Sequence, residues 1–145
     1  MLDEGTPLTE TEAVQFNPVV LAFLGDAVYS LWVREKLVRS GAGKAAEFQR
    51  AAAKVESARG QSAFLERVFP LFTEREEEKY RRGRNAKKAT KSKHATPAEY
   101  NRSTGFEAVL GYLYLTGDQA RIEELLSLTD EDDLKGQAAS AAFKP

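Results

Sequence analysis

"LAFLGDAVY", residues 21–29, sets one carboxylate, Asp26, in the middle of a run that otherwise reads as core. An ionised carboxylate moved into an apolar interior costs several kcal/mol unless a partner or solvent compensates it. Asp26 therefore needs one or the other. The flanks make the run a helix. Asn17-Pro18 offers a cap and a first-turn proline, the apolar residues that follow show no period-two alternation, and Ser40-Gly41 offers a stop. Val19, Val20, Leu21, Phe23, Leu24, Val28, Leu31 and Trp32 fall almost all round this helix, which predicts burial on most of its faces.

A second helix repeats the pattern. "TPAE" places Thr96 as a cap, Pro97 in the first position and Glu99 three residues after the cap, and predicts a helix ending near Leu115, before Thr116-Gly117. Its second half, "GFEAVLGYLYL", is continuous core apart from Glu107. Residues three and four apart share a helical face. Those around Asp26 include Ala22 and Ser30, and those around Glu107 include Ser103, Thr104 and Gly111. Small neighbours leave room for close helix packing, for water or for an ion. If the helices cross there, the two acids could share a hard divalent cation such as Mg²⁺, which takes oxygen ligands and keeps several waters. A structural role, in which each acid satisfies a backbone donor or pairs with an arginine, explains one such residue. Two matched acids beside a strongly basic segment favour function.

Elsewhere strand signals are nearly absent, so the chain reads as all-α. Thr73 and Glu76 have capping-box spacing, and "DQARIEELLSL" predicts a last helix. The alanine-rich segment 44–59 is expected to be divided at Gly60 from a shorter helix ending before Pro70. With 145 residues, one domain is expected, its core at about 16–128, with flexible N-terminal residues and a frayed tail at 129–145.

There is no cysteine, which excludes thiolate metal sites, thiol catalysis and a disulfide framework and fits a reducing, cytoplasmic setting. The acidic start "MLDEGTPLTETEA" lacks a basic-then-apolar signal pattern, and no apolar run is long enough for a bilayer, so neither export nor a membrane partner is expected. A net charge of -1 hides a segregated distribution. "RRGRNAKKATKSKH", residues 81–94, carries Arg81, Arg82, Arg84, Lys87, Lys88, Lys91 and Lys93 and no acid, while acids gather in "TEREEE" and "TDEDD". Lacking aromatics, this stretch does not suit base stacking and fits phosphate contacts along a duplex better. Arg82, Arg84, Asn85, Lys87, Lys88, Lys91 and Lys93 are the candidate RNA contacts, with a solvated loop as the plain alternative. His94, the only histidine, cannot make an ordinary zinc site and is assigned to the loop.

The same residues carry a resemblance. "LAFLGDAVY" and "STGFEAVLGYLYL", residues 103–115, resemble the two halves of the ribonuclease III catalytic-domain signature. With "RRGRNAK" between them, the chain is similar over about residues 16–128 to the Mini-III group, ribonuclease III-like proteins without a double-stranded-RNA-binding domain. The resemblance implies an all-α, homodimeric fold and Mg²⁺-dependent hydrolysis of double-stranded RNA, with Mn²⁺ as a substitute. It also implies a role in maturation of large-subunit (23S) ribosomal RNA and admits a ribosomal protein that presents the substrate. Asp26 and Glu107 match the family's essential acids and are the expected catalytic residues and metal ligands. Val19, Ala22 and Thr104 stand where full-length ribonuclease III has further acids, a thinner set that Mini-III proteins share. A second cation, if used, is then expected to arrive with the RNA. Two other readings stay open: a catalytically silent RNA-binding helical module with structural acids, and a helical scaffold whose basic loop meets an acidic protein.

Overall fold

The computed structural model describes residues 5–41, 43–88 and 94–128. Lys91 and Lys93, and the tail from 129, lie outside them. Among the described residues every regular element is helical: α1 Glu10–Ala13, α2 Pro18–Ser40, α3 Ala45–Glu56, α4 Ala58–Val68, a single 3₁₀ turn Phe69–Leu71, α5 Glu74–Asn85, α6 Pro97–Leu115 and α7 Gln119–Leu126. None is long and apolar enough to cross a membrane.

Local chemistry sets most boundaries. The Asn17 side chain accepts from the Val19 amide with Pro18 in the first turn, and α2 ends on Gly41 in the left-handed region at φ 64°. Thr73 with Glu76, and Thr96 with Glu99, form reciprocal capping boxes at the starts of α5 and α6. One boundary differs from expectation. The break between α3 and α4 falls at Ser57, whose extended backbone ends one helix and whose hydroxyl accepts from the Gly60 amide to start the next. Gly60 lies inside α4, because the cap supplies the chain reversal that a glycine was expected to supply.

Helix α6 is the axis of the molecule, packed against α2, α5, α4 and α7. Phe106, Ala108, Val109 and Leu110 are fully buried on it. Of the N-terminal residues expected to be flexible, three are held to the rest of the fold: Ala13 is fully buried, the Leu8 amide donates to the Leu115 carbonyl at 2.8 Å, and Glu10 meets Lys79 at 2.9 Å. Lys79 is buried, with its ammonium over the Tyr112 ring, and the Tyr112 hydroxyl donates to the other oxygen of Glu10. Nearby, Arg121 grips buried Glu76 through two bonds of 2.8 Å and donates to the Leu71 carbonyl. Burial pushes the Glu76 carboxyl up, but the bonds from Arg121 and Thr73 outweigh it and hold the group below its ordinary range.

Helix α2 is not buried all round, contrary to what its composition predicts. Phe23 is 82% exposed, Val38 65% and Val20 52%, and Leu31 and Ala27 are exposed with them. Spacings of three, four and seven put these residues on one stripe, opposite the face that packs on α6. An apolar helix surface of this kind forms either a core or an interface, and periodicity alone does not tell the two apart.

Candidate active site

Backbone contact brings the two acids together. A β-carbon at Gly25 would lie 1.7 Å from the Glu107 carbonyl oxygen, and one at Gly111 would lie 1.9 Å from the Leu21 carbonyl oxygen. Only glycine permits this approach, so α2 and α6 touch main chain to main chain. The contact point is one residue from Asp26 and directly on Glu107. The two carboxyls come within hydrogen-bonding reach of each other as a result.

They face a solvent-open pocket of about 440 Å³, whose wall includes Ala22, Phe23, Glu56, Gln61, Lys88 and Ser103. Asp26 is exposed and Glu107 is half-buried. Asp26 is therefore not a core residue: it stands at the edge where α2 leaves α6, and solvent rather than a cationic partner compensates its charge. Burial, then the hydrogen bond and charge of Asp26, push the Glu107 carboxyl up to about 9, with Glu56 adding to the effect and the bond from Gln61 opposing it. No arginine or lysine is paired with either acid in the described ion pairs, and without a counterion Glu107 keeps its proton at neutral pH.

This donor set fits a hard divalent cation. Two carboxylates supply oxygen ligands, no histidine or cysteine competes, and the small Ala22 and Ser103 leave the pocket open beside them. Among the described residues no group of three or more metal-binding side chains gathers, so water and a phosphate would fill most of the coordination shell. Mg²⁺ and Mn²⁺ tolerate such a shell, whereas a structural zinc site does not.

The basic residues divide into two sets. Arg82, Asn85 and Lys87 are exposed on and just after α5. Arg84 is half-buried, bonded to the Asn85 side chain and lying over the Tyr80 ring at 5.5 Å. Lys88 is different, because it lines the acidic pocket itself. Its ammonium donates to the Arg84 and Ala86 carbonyls at 2.8 Å each, and burial holds its pKa below the ordinary value. The sequence reading did not single out Gln61 or Glu56. Nothing in a run of alanine, glutamate and glutamine marks them until α3 and α4 fold against α6.

The sequence pattern of the Ribonuclease III domain matches residues 19–118, which span both acids. The chain belongs to the ribonuclease III family, and is an endoribonuclease of that type. Among its relatives it is similar to the Mini-ribonuclease 3 of Symbiobacterium thermophilum, 44% identical over 120 residues that cover 83% of this chain and 92% of the relative. The Mini-ribonuclease 3 of Streptococcus pneumoniae is 43% identical over 113 residues, covering 77% of this chain and 88% of that one. A crystallographically solved protein of Fusobacterium nucleatum superposes with a TM-score of 0.72 at 25% identity, over 77% of this chain and 91% of its own.

Proposed function

We propose that this endoribonuclease hydrolyses double-stranded RNA with the help of Mg²⁺, or Mn²⁺ in its place, in maturation of 23S ribosomal RNA in the cytoplasm. The observation that carries the reading is the pair of carboxyls held together at an open pocket, neither of them in an ion pair among the described residues. Asp26 and Glu107 are the ligands that hold the cation. A cation there supplies a reactive water at neutral pH and offsets charge on the departing 3′ oxygen. Lys88 stands at the same pocket with its ammonium oriented by two carbonyls, and so attracts the phosphate to the acids. Arg82, Arg84, Asn85 and Lys87, with Lys91 and Lys93, contact flanking phosphates, which makes affinity salt-dependent.

The active form is a homodimer. The apolar stripe of α2 supports it, since each large apolar side chain moved from water into an interface contributes roughly 1.5–3 kcal/mol. Phe23 belongs both to this stripe and to the pocket wall, which supports an interface beside the site. A ribosomal protein that presents the rRNA is a compatible third partner.

The test is cleavage of duplex stems from 23S precursor RNA with Mg²⁺, comparing the natural protein with Asp26→Asn after circular dichroism has shown both folded. Cleavage by the first alone supports the reading. Equal cleavage by both removes Asp26 from the site, and silence from both even with Mn²⁺ leaves an RNA-binding module. Phe23→Asp is expected to sediment as a monomer; an unchanged sedimentation profile of the natural protein and the variant would remove the stripe from the interface.

A further inference from the structure

Three buried side-chain polar atoms among the described residues have no hydrogen-bond partner: the Tyr29 hydroxyl, the Trp32 indole nitrogen and Gln61 Oε1. Two of them converge on the acid pair. Gln61, 2% exposed on α4, donates through Nε2 to the Glu56 carbonyl at 2.8 Å and to Glu107 Oε2 at 3.2 Å. The Glu56 carbonyl can only accept, so the amide nitrogen must face it and Oε1 must face away. This amide orientation is fixed by its partners. The unpaired acceptor is therefore a property of the site, and an unpaired buried acceptor costs about 1–3 kcal/mol.

The Tyr29 hydroxyl is a second buried, unpaired polar group near Glu107. Its ring lies edge-on to Phe106 with centroids 5.2 Å apart and stacks on Phe64 at 6.3 Å, the residues next to Glu107 and three after Gln61. Burial, then the charges of Glu56 and Glu107, raise its pKa, which places the phenol in the field of the same carboxylates. Tyr29 is also one helical turn beyond Asp26 on α2. Of the two unpaired groups, only Gln61 bonds to Glu107.

We infer that Gln61 is the positioning residue for Glu107, holding its carboxylate towards Asp26 for the cation. A buried amide bonded to a rigid main-chain carbonyl fixes one oxygen of Glu107 and leaves the other free. Outer residues that orient metal-binding carboxylates in this way typically change metal affinity or activity 10–100-fold when removed. The inference rests on the reading of Asp26 and Glu107 as the cation site.

The experiment is Mn²⁺ binding to the folded full chain, measured as free Mn²⁺ by electron paramagnetic resonance, with and without duplex RNA, for the natural protein, Asp26→Asn, Gln61→Met and Tyr29→Phe. Gln61→Met keeps the shape and loses both donors; it is expected to raise the Mn²⁺ dissociation constant about 10-fold or more and to lower kcat with little change in KM for RNA. Tyr29→Phe, which removes a hydroxyl bonded to neither Gln61 nor Glu107, is the control and is expected to leave Mn²⁺ affinity unchanged. Should Gln61→Met not fold, Gln61→Asn, which keeps the amide one methylene short of Glu107, carries the test with the same expectation. A Gln61 with a merely structural role would lower the melting temperature and leave Mn²⁺ affinity where it was. Binding lost in Asp26→Asn but unaltered in the folded Gln61 variant overturns this inference alone. No Mn²⁺ binding by the natural protein, with or without RNA, overturns the cation site and this inference with it.

Discussion

Two seams run along α6, and they treat charge in opposite ways. On the α5 side every buried ionic group has a partner: Lys79 has Glu10 and the Tyr112 ring, and Glu76 has both arms of Arg121. On the α2 side two carboxyls are pressed towards each other beside a glycine contact, with no ion-pair partner among the described residues. Packing needs favour the first arrangement and disfavour the second. A fold selected for stability alone would place an arginine opposite Glu107 or remove the acid; the retained imbalance marks the seam whose purpose lies outside the fold.

Substitutions at the two seams test the contrast. The largest effect is expected from Gly25→Ala, because its β-carbon meets main chain on α6, which cannot yield as a side chain does. A loss of more than about 4 kcal/mol, read as an absent or strongly lowered thermal transition, is expected. A variant melting near the natural protein would mean that the helices do not touch there.

Lys79→Ala strips Glu10 of its 2.9 Å ion-pair partner on the other seam, leaving Arg75 at 3.9 Å and the Tyr112 hydroxyl, and is expected to destabilise by about 2–4 kcal/mol in urea titrations. Lys79→Met, which keeps the volume, is expected to recover part of that loss. Because the Glu10 side chain is 34% exposed, solvent takes up some of its charge, which limits the effect.

Glu107→Gln carries the opposite sign. The folded protein holds this proton up to about pH 9, against an ordinary value of 4.5, so the proton favours the folded state and metal-free stability falls as pH rises through that interval. The glutamine removes the fall: at pH 8 without metal the variant is expected to gain about 1–2 kcal/mol while cleavage disappears. Equal melting of variant and natural protein from pH 5 to 9 would show the acid pair to be relaxed. On the α5 seam the sign reverses, since Glu76 is held below its ordinary range and its contribution is lost as pH falls through the acid range. The smallest effect is expected from Thr96→Ala, about 1 kcal/mol, which removes a cap from the helix both seams share and so weakens both alike.

Much of this was legible in the sequence where the governing interaction is local. Caps at Asn17, Thr73 and Thr96 and the stop at Gly41 act within four residues, and they located α2, α5 and α6. Asp26 and Glu107 stood out as acids set inside the apolar runs of two helices. What was missed depends on partners distant in the chain. Gln61 acquires its meaning from Glu107, 46 residues away, and Lys79, in a charged run that reads as solvated, is buried only because Glu10 and Tyr112 reach it. The misjudged exposure of α2 has another cause. Val20, Phe23 and Val38 carry the composition of core residues, and one chain has nothing with which to cover them.

The glycine contact has a consequence for heat. Side chains that interlock can loosen one rotamer at a time as temperature rises, so a site mounted on them drifts before its protein melts. At Gly25 and Gly111 no torsion is available to relax: two main chains lie against each other or they do not. The span between the anchor points of Asp26 and Glu107 is thereby tied to the integrity of the whole helix pair, and the site keeps its dimensions up to the transition at which the fold itself is lost.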